Sequence, residues 1–359
     1  MKASLIKAAG LAVTLGFTVS AAHAEEPIEV KLSYNQPASS AAWQEVMQPY
    51  ADRLEELSEG RLEVVTYPGE VLHPVADGFR AAATGITDVT SAWPVYQASS
   101  FKLFHGVQLP RALPDNDLAA VRVMDEVYAK YLRDEYERLR VKLAFNAVTP
   151  GYDIMTTTPV NSLEDLEGLR IRASGSTISD IVERLGATPV TMSITDAYTA
   201  FQQGVVDGII LATADMVAYR MHEVGKYNYR LGVARVAIPH AINAQFYDSL
   251  PEDLQNVFAE AGEQAGYDYS RMYMRLTERA LEEMEKEGVT VVEASDEDVA
   301  RVNELLEPMW SEFVENNGGE GSAAAELVKD LRAGFERYDD MSEEELTTLQ
   351  DTQPVEDLR

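Results

Sequence analysis

Cysteine is absent from this chain of 359 residues, and only five histidines occur. Without thiols there is no disulfide framework and no attachment point for a lipid anchor, so stability has to come from a hydrophobic core. His73, His105, His222 and His240 show no metal-ligand spacing, and we interpret them as surface or packing residues. We therefore expect no metal and no cofactor.

Basic residues are scarce, with 30 Lys and Arg against 60 Asp and Glu and a formal net charge of −30. An acidic field of this size repels nucleic acid and anionic membrane surfaces, so we expect neither as a partner. The acids are spread along the chain, with a denser patch from Asp339 to Glu345, which indicates a solvated surface.

Long apolar runs are missing except for the stretch from Leu5 to Val19. This stretch is shorter than the roughly 20 residues that a membrane span needs. It is followed by Ala22-His23-Ala24, which places small residues where a signal peptidase reads them. We predict a secretory signal peptide over 1–24, cleavage after Ala24, and a periplasmic mature protein.

Catalytic motifs are absent as well. The chain has no G-x-S-x-G, no glycine-rich phosphate loop and no G-x-G-x-x-G, and His222-Glu223 lacks the second histidine of a zinc protease helix. Carboxylate pairs are uninformative in a chain with 60 acids. These absences argue against an enzyme.

Strand patterns alternate with helix patterns along the rest of the chain, which predicts an α/β fold. Asp115 or Asp117 is expected to cap one long helix, and Pro251 begins a helical pattern that continues almost to Gly288. At about 55 Å that helix would extend along two lobes. Beyond about Asp340 we predict an unstructured tail.

An internal repeat also predicts two lobes. Asp77-x-Phe79-x-Ala81-x3-Gly85-x2-Asp88 recurs 119 residues later as Asp196-x-Tyr198-x-Ala200-x3-Gly204-x2-Asp207. Each copy reads as a helix that ends on a left-handed glycine and turns into a strand carrying an aspartate. Chance is the alternative, because helix–Gly–strand turns are common.

Residues 166–211 contain the strongest functional signal. Arg172 closes a short apolar run and is followed by the small-residue loop 173–176 and a helical pattern. An arginine is therefore expected at the carboxyl end of a strand and beside a helix amino terminus, which suits it to hold a carboxylate by two parallel hydrogen bonds. The alternative is an arginine paired with a nearby Asp or Glu.

Several blocks then resemble one family. GLRIRASGS, LGATPVTM, DAYTAFQQGVVDG and Glu223-Val224-x-Lys226-Tyr227 are similar to the DctP-type substrate-binding proteins of tripartite ATP-independent periplasmic (TRAP) transporters. Further matches occur in both halves of the mature chain: Gly60-Arg61, Tyr67-Pro68-Gly69, TGITDVT, Leu109-Pro110 and Leu250-Pro251-Glu252-Asp253. The resemblance covers nearly the whole mature chain and rests on the order and spacing of these blocks.

The resemblance implies a two-lobed periplasmic binding protein, each lobe a sheet flanked by helices, with a long helix spanning both. Its partners would be a small organic acid and the small and large TRAP permease subunits. We assign 25–148 plus about 238–280 to the first lobe and 149–237 plus about 281–338 to the second, leaving 339–359 as an acidic, flexible tail.

The resemblance also implies a set of ligand-binding residues. Arg172 would be the carboxylate clamp, and the other pocket residues would be Asn35, Trp93, Tyr152, Gly175, Ile194 and Leu211. For Trp93, a core aromatic is the alternative.

Two departures from the family pattern bear on the ligand. Many relatives carry Q-E-N-P where this chain has Ile209-Ile210-Leu211-Ala212, and many dicarboxylate binders carry a further arginine near Pro150-Gly151-Tyr152. A second buried carboxylate without a partner would cost several kcal/mol. We therefore favour a monocarboxylate with an apolar or aromatic body. The alternatives for the whole protein are the binding protein of an ATP-driven uptake system and a periplasmic α/β enzyme.

Overall fold

Two mixed sheets organise the protein, as a computed structural model shows for residues 26–355 and residue 358. The signal peptide expected over 1–24 lies outside the described residues. In the first sheet the strand order is β2 (Leu62–Pro68), β1 (Ile28–Tyr34), β3 (Val89–Ser91), β10 (Ala237–Asn243) and β4 (Val141–Val148). In the second it is β11 (Thr290–Glu293), β9 (Tyr227–Arg230), β5 (Tyr152–Thr156), β8 (Gly208–Ala212), β6 (Arg170–Ala173) and β7 (Thr188–Thr191).

Helices surround both sheets. They are α1 (Gln48–Leu57), α2 (Gly78–Ala83), α3 (Asp117–Val127), α4 (Arg133–Arg138), α5 (Ser176–Arg184), α6 (Ile194–Gln202), α7 (Thr213–Ala218), α8 (Ala244–Ser249), α9 (Glu252–Lys286), α10 (Asp296–Leu306), α11 (Pro308–Asn316), α12 (Ala323–Tyr338) and α13 (Glu343–Thr352). Short π-helical turns precede α1 and follow α3. Among the residues that the structure describes, none of these helices has the length and apolarity to cross a membrane. The α/β class and the sheet-and-helix lobes are confirmed.

The predicted long helix is present as α9, a single helix of 35 residues. It packs on α1, α3 and β4 beside the first sheet and on α7 and β11 beside the second. Helix α12 packs on α3, whereas α10 packs on α5, so the carboxyl-terminal helices contact elements beside both sheets.

The internal repeat corresponds to the same local structure at two places in the chain. Gly85 and Gly204 have φ angles of +73° and +69°. The carboxylate of Asp88 then accepts a hydrogen bond from the Lys31 N–H at 2.8 Å, and that of Asp207 accepts one from the Arg170 N–H at 2.9 Å. Each aspartate thus ties the start of β3 or β8 to the neighbouring parallel strand.

Two sequence predictions are wrong. Helix α3 is capped by Asn116, whose side chain accepts from two backbone N–H groups, and not by Asp115 or Asp117. The tail is not unstructured beyond Asp340, because α13 begins at a capping box formed by Ser342 and Glu345 and buries Leu346. The segment is also tied to the body by hydrogen bonds from Arg122 and Tyr267 to Gln350 and by an ion pair between Arg271 and Glu343.

Two chain segments connect the sheets and lie against one another. Tyr152 N–H donates to the Ala234 carbonyl at 2.8 Å, and Thr149 N–H donates to the Val236 carbonyl at 2.9 Å. Beside these bonds Gly151 approaches Gly232 so closely that a Cβ on Gly151 would lie 2.8 Å from the Gly232 Cα. The crossing therefore has no room for a side chain at Gly151.

Candidate functional site

Arg172 lies at the carboxyl end of β6 with only 1% of its surface exposed. Its Nε and Nη2 donate to the Met192 carbonyl at 3.2 and 2.9 Å, which fixes the plane of the guanidinium. Its Nη1 has no hydrogen-bond partner among the described residues. By contrast Arg170, two residues earlier, forms a two-pronged ion pair with Asp207.

A buried guanidinium without an anion is unfavourable by several kcal/mol. In the described part of the chain no carboxylate lies within ion-pair distance of Arg172, so the alternative reading as an internal salt bridge has no support. The free Nη1 and the fixed plane suit Arg172 to receive an anion that comes from outside the protein.

Tyr152 opens β5, which β8 separates from β6 in the second sheet, and is fully buried. Burial raises the pKa of Tyr152, the charge of Asp215 raises that pKa further, and the positive charge of Arg172 lowers it. The Tyr152 hydroxyl is therefore within electrostatic reach of both a cation and an acid.

Asn35 reaches from the end of β1 to the other lobe. Its Nδ2 donates to the Tyr219 hydroxyl at 3.3 Å, and its Oδ1 accepts from the Ser91 hydroxyl at 3.2 Å. The Gln36 amide donates to the same Tyr219 hydroxyl at 3.3 Å. These bonds join the two lobes across the cleft between their sheets.

Trp93, Gly175 and Ile194 meet at a second contact between the lobes. The Ile194 N–H donates to the Tyr96 hydroxyl at 3.3 Å, and the Tyr96 ring lies 6.3 Å from that of Trp93. The indole Nε1 of Trp93 is buried and has no hydrogen-bond partner among the described residues. It is therefore a second unsatisfied donor at the lobe interface.

Gly175 precedes α5 with a φ angle of +142°, a conformation that favours glycine. A Cβ at this position would lie 2.5 Å from the Val95 carbonyl oxygen of the first lobe. Leu211 lies in β8 opposite Asp153, is 4% exposed and belongs to the hydrophobic core. Asn35, Gly175 and Ile194 thus lie at contacts between the lobes, with Trp93 beside Tyr96, whereas Arg172, Tyr152 and Leu211 lie in strands of the second sheet.

An open cavity of about 630 Å³ adjoins this group between the first lobe, α7 and α9. Asp215, Tyr219, His222 and Tyr273 line it, together with Gln36, Pro37 and residues 39–42, whereas Arg172 does not. Tyr219 links the cavity to Asn35, and Asp215 lies in α7, which follows the strand β8 that pairs with β6 of Arg172. We consider the cavity and the arginine to be adjoining parts of one interface.

Sequence reasoning did not single out Asp215 or Tyr219. One available signal was the position of Asp215 inside an otherwise apolar run from Ile209 to Val217, which indicates a buried acid. Among the described residues there is no group of three or more His, Asp or Glu side chains placed to hold a metal ion.

Comparison with known proteins agrees with this architecture. The sequence model described as bacterial extracellular solute-binding protein, family 7 (DctP) matches residues 32–317. The C4-dicarboxylate-binding periplasmic protein DctP of Rhodobacter capsulatus is 26% identical over 326 residues, which are 88% of this chain and 96% of that protein.

Solved structures are similar over nearly their whole length. A TRAP periplasmic solute-binding protein from Desulfovibrio salexigens has a TM-score of 0.74 at 25% identity, covering 88% of this chain and 98% of that one. One from Bordetella bronchiseptica with bound (R)- and (S)-mandelate has a TM-score of 0.79 at 22% identity, covering 86% and 99%. One from Rhodoferax ferrireducens with copurified benzoate has a TM-score of 0.80 at 19% identity, covering 86% and 98%.

Proposed function

The chain belongs to family 7 of the bacterial extracellular solute-binding proteins, the DctP family, and on this premise we propose that it captures a small organic acid in the periplasm for a TRAP transporter. The bound acid would pass to a membrane permease of one small and one large subunit. Family and fold are those of transporter binding proteins and not of enzymes.

The observation that carries the proposal is the buried Arg172 guanidinium, which has a free Nη1 and no anionic partner among the described residues. We propose that the ligand carboxylate occupies this position and accepts from Arg172. The unpartnered Nε1 of Trp93 and the amide of Asn35 supply further donors from the first lobe.

The ligand body that fits best is apolar or aromatic. Trp93, Tyr152, Ile194 and Leu211 contribute largely apolar surface, and the segment 150–154 contains no second arginine that could hold another carboxylate. Benzoate and mandelate, the acids bound in two similar structures, have this character. A monocarboxylate is therefore favoured over a C4-dicarboxylate.

We propose that binding works by closure of the lobes. The first lobe would comprise 25–148 plus about 238–280, and the second 149–237 plus about 281–338, with the crossing at Gly151 and Gly232 as the hinge. The bonds from Asn35 and Tyr96 to the other lobe form only when the lobes are together. A ligand that contacts both lobes then favours the closed form.

A thermal-shift screen of the mature protein against organic acids tests the proposal. Ligand at 100 times its dissociation constant should add about 2.7 kcal/mol of stability, a shift of a few degrees. Arg172→Ala should abolish the shift, and Arg301→Ala, which removes an exposed arginine of α10, should retain it. A shift that survives Arg172→Ala, or one produced by dicarboxylates alone, would contradict the proposed clamp and pocket.

A further inference from the structure

Asp215 is a buried acid that the proposed clamp does not use. It lies in α7, is 7% exposed, and lines the open cavity of about 630 Å³ at the lobe interface. The cavity is large enough for part of a small organic molecule. His222 lines the same cavity, and its buried Nδ1 has no hydrogen-bond partner among the described residues.

The hydrogen bonding of Asp215 is unusually poor for a buried carboxylate. It accepts only from the Tyr273 hydroxyl, at 3.3 and 3.4 Å, among the described residues. Glu135 accepts from three backbone N–H groups at 2.7 to 3.0 Å. Asp153 accepts from Thr213 and from two backbone N–H groups. Those two acids are satisfied by the protein, whereas Asp215 retains accepting capacity that faces a cavity.

Asp215 also belongs to the same electrostatic environment as the clamp. Tyr152 is in the field of both Asp215 and Arg172. Tyr219, which lines the cavity beside Asp215, receives a hydrogen bond from Asn35 of the first lobe. Arg172 lies near the carboxyl end of β6, and Asp215 lies in α7, which follows the adjacent parallel strand β8, so both residues occur at the same edge of the second sheet.

We infer that Asp215 is a second ligand-binding residue. The organic acid then carries a hydrogen-bond donor, either a protonated amine or a hydroxyl, and Asp215 accepts the hydrogen bond from it. The inference rests on the proposed function and narrows its ligand class. An aliphatic or aromatic acid without a hydrogen-bond donor would leave the carboxylate of Asp215 buried and unsatisfied, which is unfavourable. An acid with a donor would pair its carboxylate with Arg172 and its donor with Asp215.

The other groups around Asp215 support an acceptor role. Burial raises the pKa of Asp215 to about 7, and the Tyr273 bond only partly offsets this effect. The titratable or charged groups around Asp215 are tyrosines of β1, β5 and α9, the tyrosine that follows α7, and three side chains of the cavity wall. They are Tyr34, Tyr152, Tyr219, Tyr269, Tyr273, His222, Arg279 and Glu283. A hydrogen-bond donor on the ligand therefore gives Asp215 the strong hydrogen bond that none of the described residues provides.

Matched acids provide the test. We would measure calorimetric affinities for phenylacetate, mandelate and phenylglycine, and for butyrate, 4-hydroxybutyrate and 4-aminobutyrate, at pH 6 and pH 8. In the wild type at least one acid with a hydrogen-bond donor should bind tenfold or more tightly than its parent acid without one, phenylacetate or butyrate. This ratio of affinities should be larger at pH 8, because Asp215 accepts best when ionised. Asp215→Asn should reduce this ratio toward one and remove its pH dependence.

Asp134→Asn is the matched control, since it neutralises an exposed aspartate and should leave the ratio unchanged. Circular dichroism and melting temperature would establish that each variant is folded. Parents that bind as tightly as their donor-bearing partners, or a ratio that persists in Asp215→Asn, would overturn the inference alone. Failure of every acid to bind, or equal binding by Arg172→Ala, would overturn the proposed function as well.

Discussion

Gly175 of the second lobe lies directly against the Val95 carbonyl of the first, at a distance that leaves no room for a Cβ. The same glycine has a φ angle of +142° and precedes α5, three residues after Arg172. One backbone position therefore sets how closely the lobes approach beside the proposed clamp.

Gly175→Ala should impair closure while leaving each lobe folded. The added methyl group would meet the Val95 oxygen at 2.5 Å and would adopt an unfavourable φ, at a cost of about 1–3 kcal/mol. We expect ligand affinity to fall about 10- to 100-fold by calorimetry. Gly168→Ala shares a positive φ but has open space around its Cβ, so it should keep the affinity. Equal losses in both variants would mean that backbone strain, and not the lobe contact, is responsible.

Arg172→Lys should weaken binding at least tenfold, or by about 1.4 kcal/mol. An ammonium group preserves the charge but cannot hold the Met192 carbonyl and present a free Nη1 in one plane. Calorimetry with the best acid from the screen checks this, with Arg301→Lys as the exposed counterpart. Retention of wild-type affinity would assign the anion to another group.

The stability of the ligand-free protein should depend on Asp215 in a defined direction. The pKa of Asp215 is raised to about 7, above its value in the unfolded chain. Between about pH 4 and pH 7 the folded state therefore binds more protons than the unfolded state, and this residue makes stability fall as the pH rises. A carboxyl with a pKa near 7 when folded and about 3.9 when unfolded destabilises by about 4 kcal/mol at pH 8.

Asp215→Asn removes that effect and keeps an oxygen for Tyr273. The variant should be more stable than the wild type at pH 8, by up to the about 4 kcal/mol given above, and should approach the wild type near pH 4. Urea denaturation across this range measures the difference. A difference that stays constant with pH would show that Asp215 titrates normally.

Asp88 and Asp207 should make similar contributions at equivalent places in the two lobes. Replacing either with alanine leaves a backbone N–H of the adjacent strand unpaired, Lys31 in one case and Arg170 in the other. We expect a loss of about 1–3 kcal/mol in the free energy of unfolding for each, by urea denaturation. Asp134→Ala, an exposed change, should cost far less. If only one of the pair is destabilising, the repeated sequence does not have a repeated structural role.

Local signals predicted the large elements well because those elements follow from periodicity and chain-terminating residues. The continuous helical pattern after Pro251 became α9, and the left-handed glycines Gly85 and Gly204 end their helices as expected. The cap of α3 was misassigned because Asp115, Asn116 and Asp117 are adjacent and all suit the position. Only the backbone geometry selects among them.

The site was predictable only where one residue type stood out. Arg172 is conspicuous in an acidic chain, and its position at a strand end gave it a role to test. Asp215 is one of 60 acids, and its significance comes from burial by α9 and the first lobe, which are distant in sequence. No local pattern encodes contacts of that kind.

Helix α9 supplies side chains to both hydrophobic cores: Phe258 and Tyr269 pack in the smaller one, and Tyr267 and Met284 in the larger one. A helix of 35 residues cannot melt on one side while remaining folded on the other without breaking its own hydrogen-bond ladder. We therefore expect the lobes to unfold as one cooperative unit, so that heating produces a single calorimetric transition although the molecule has two sheets.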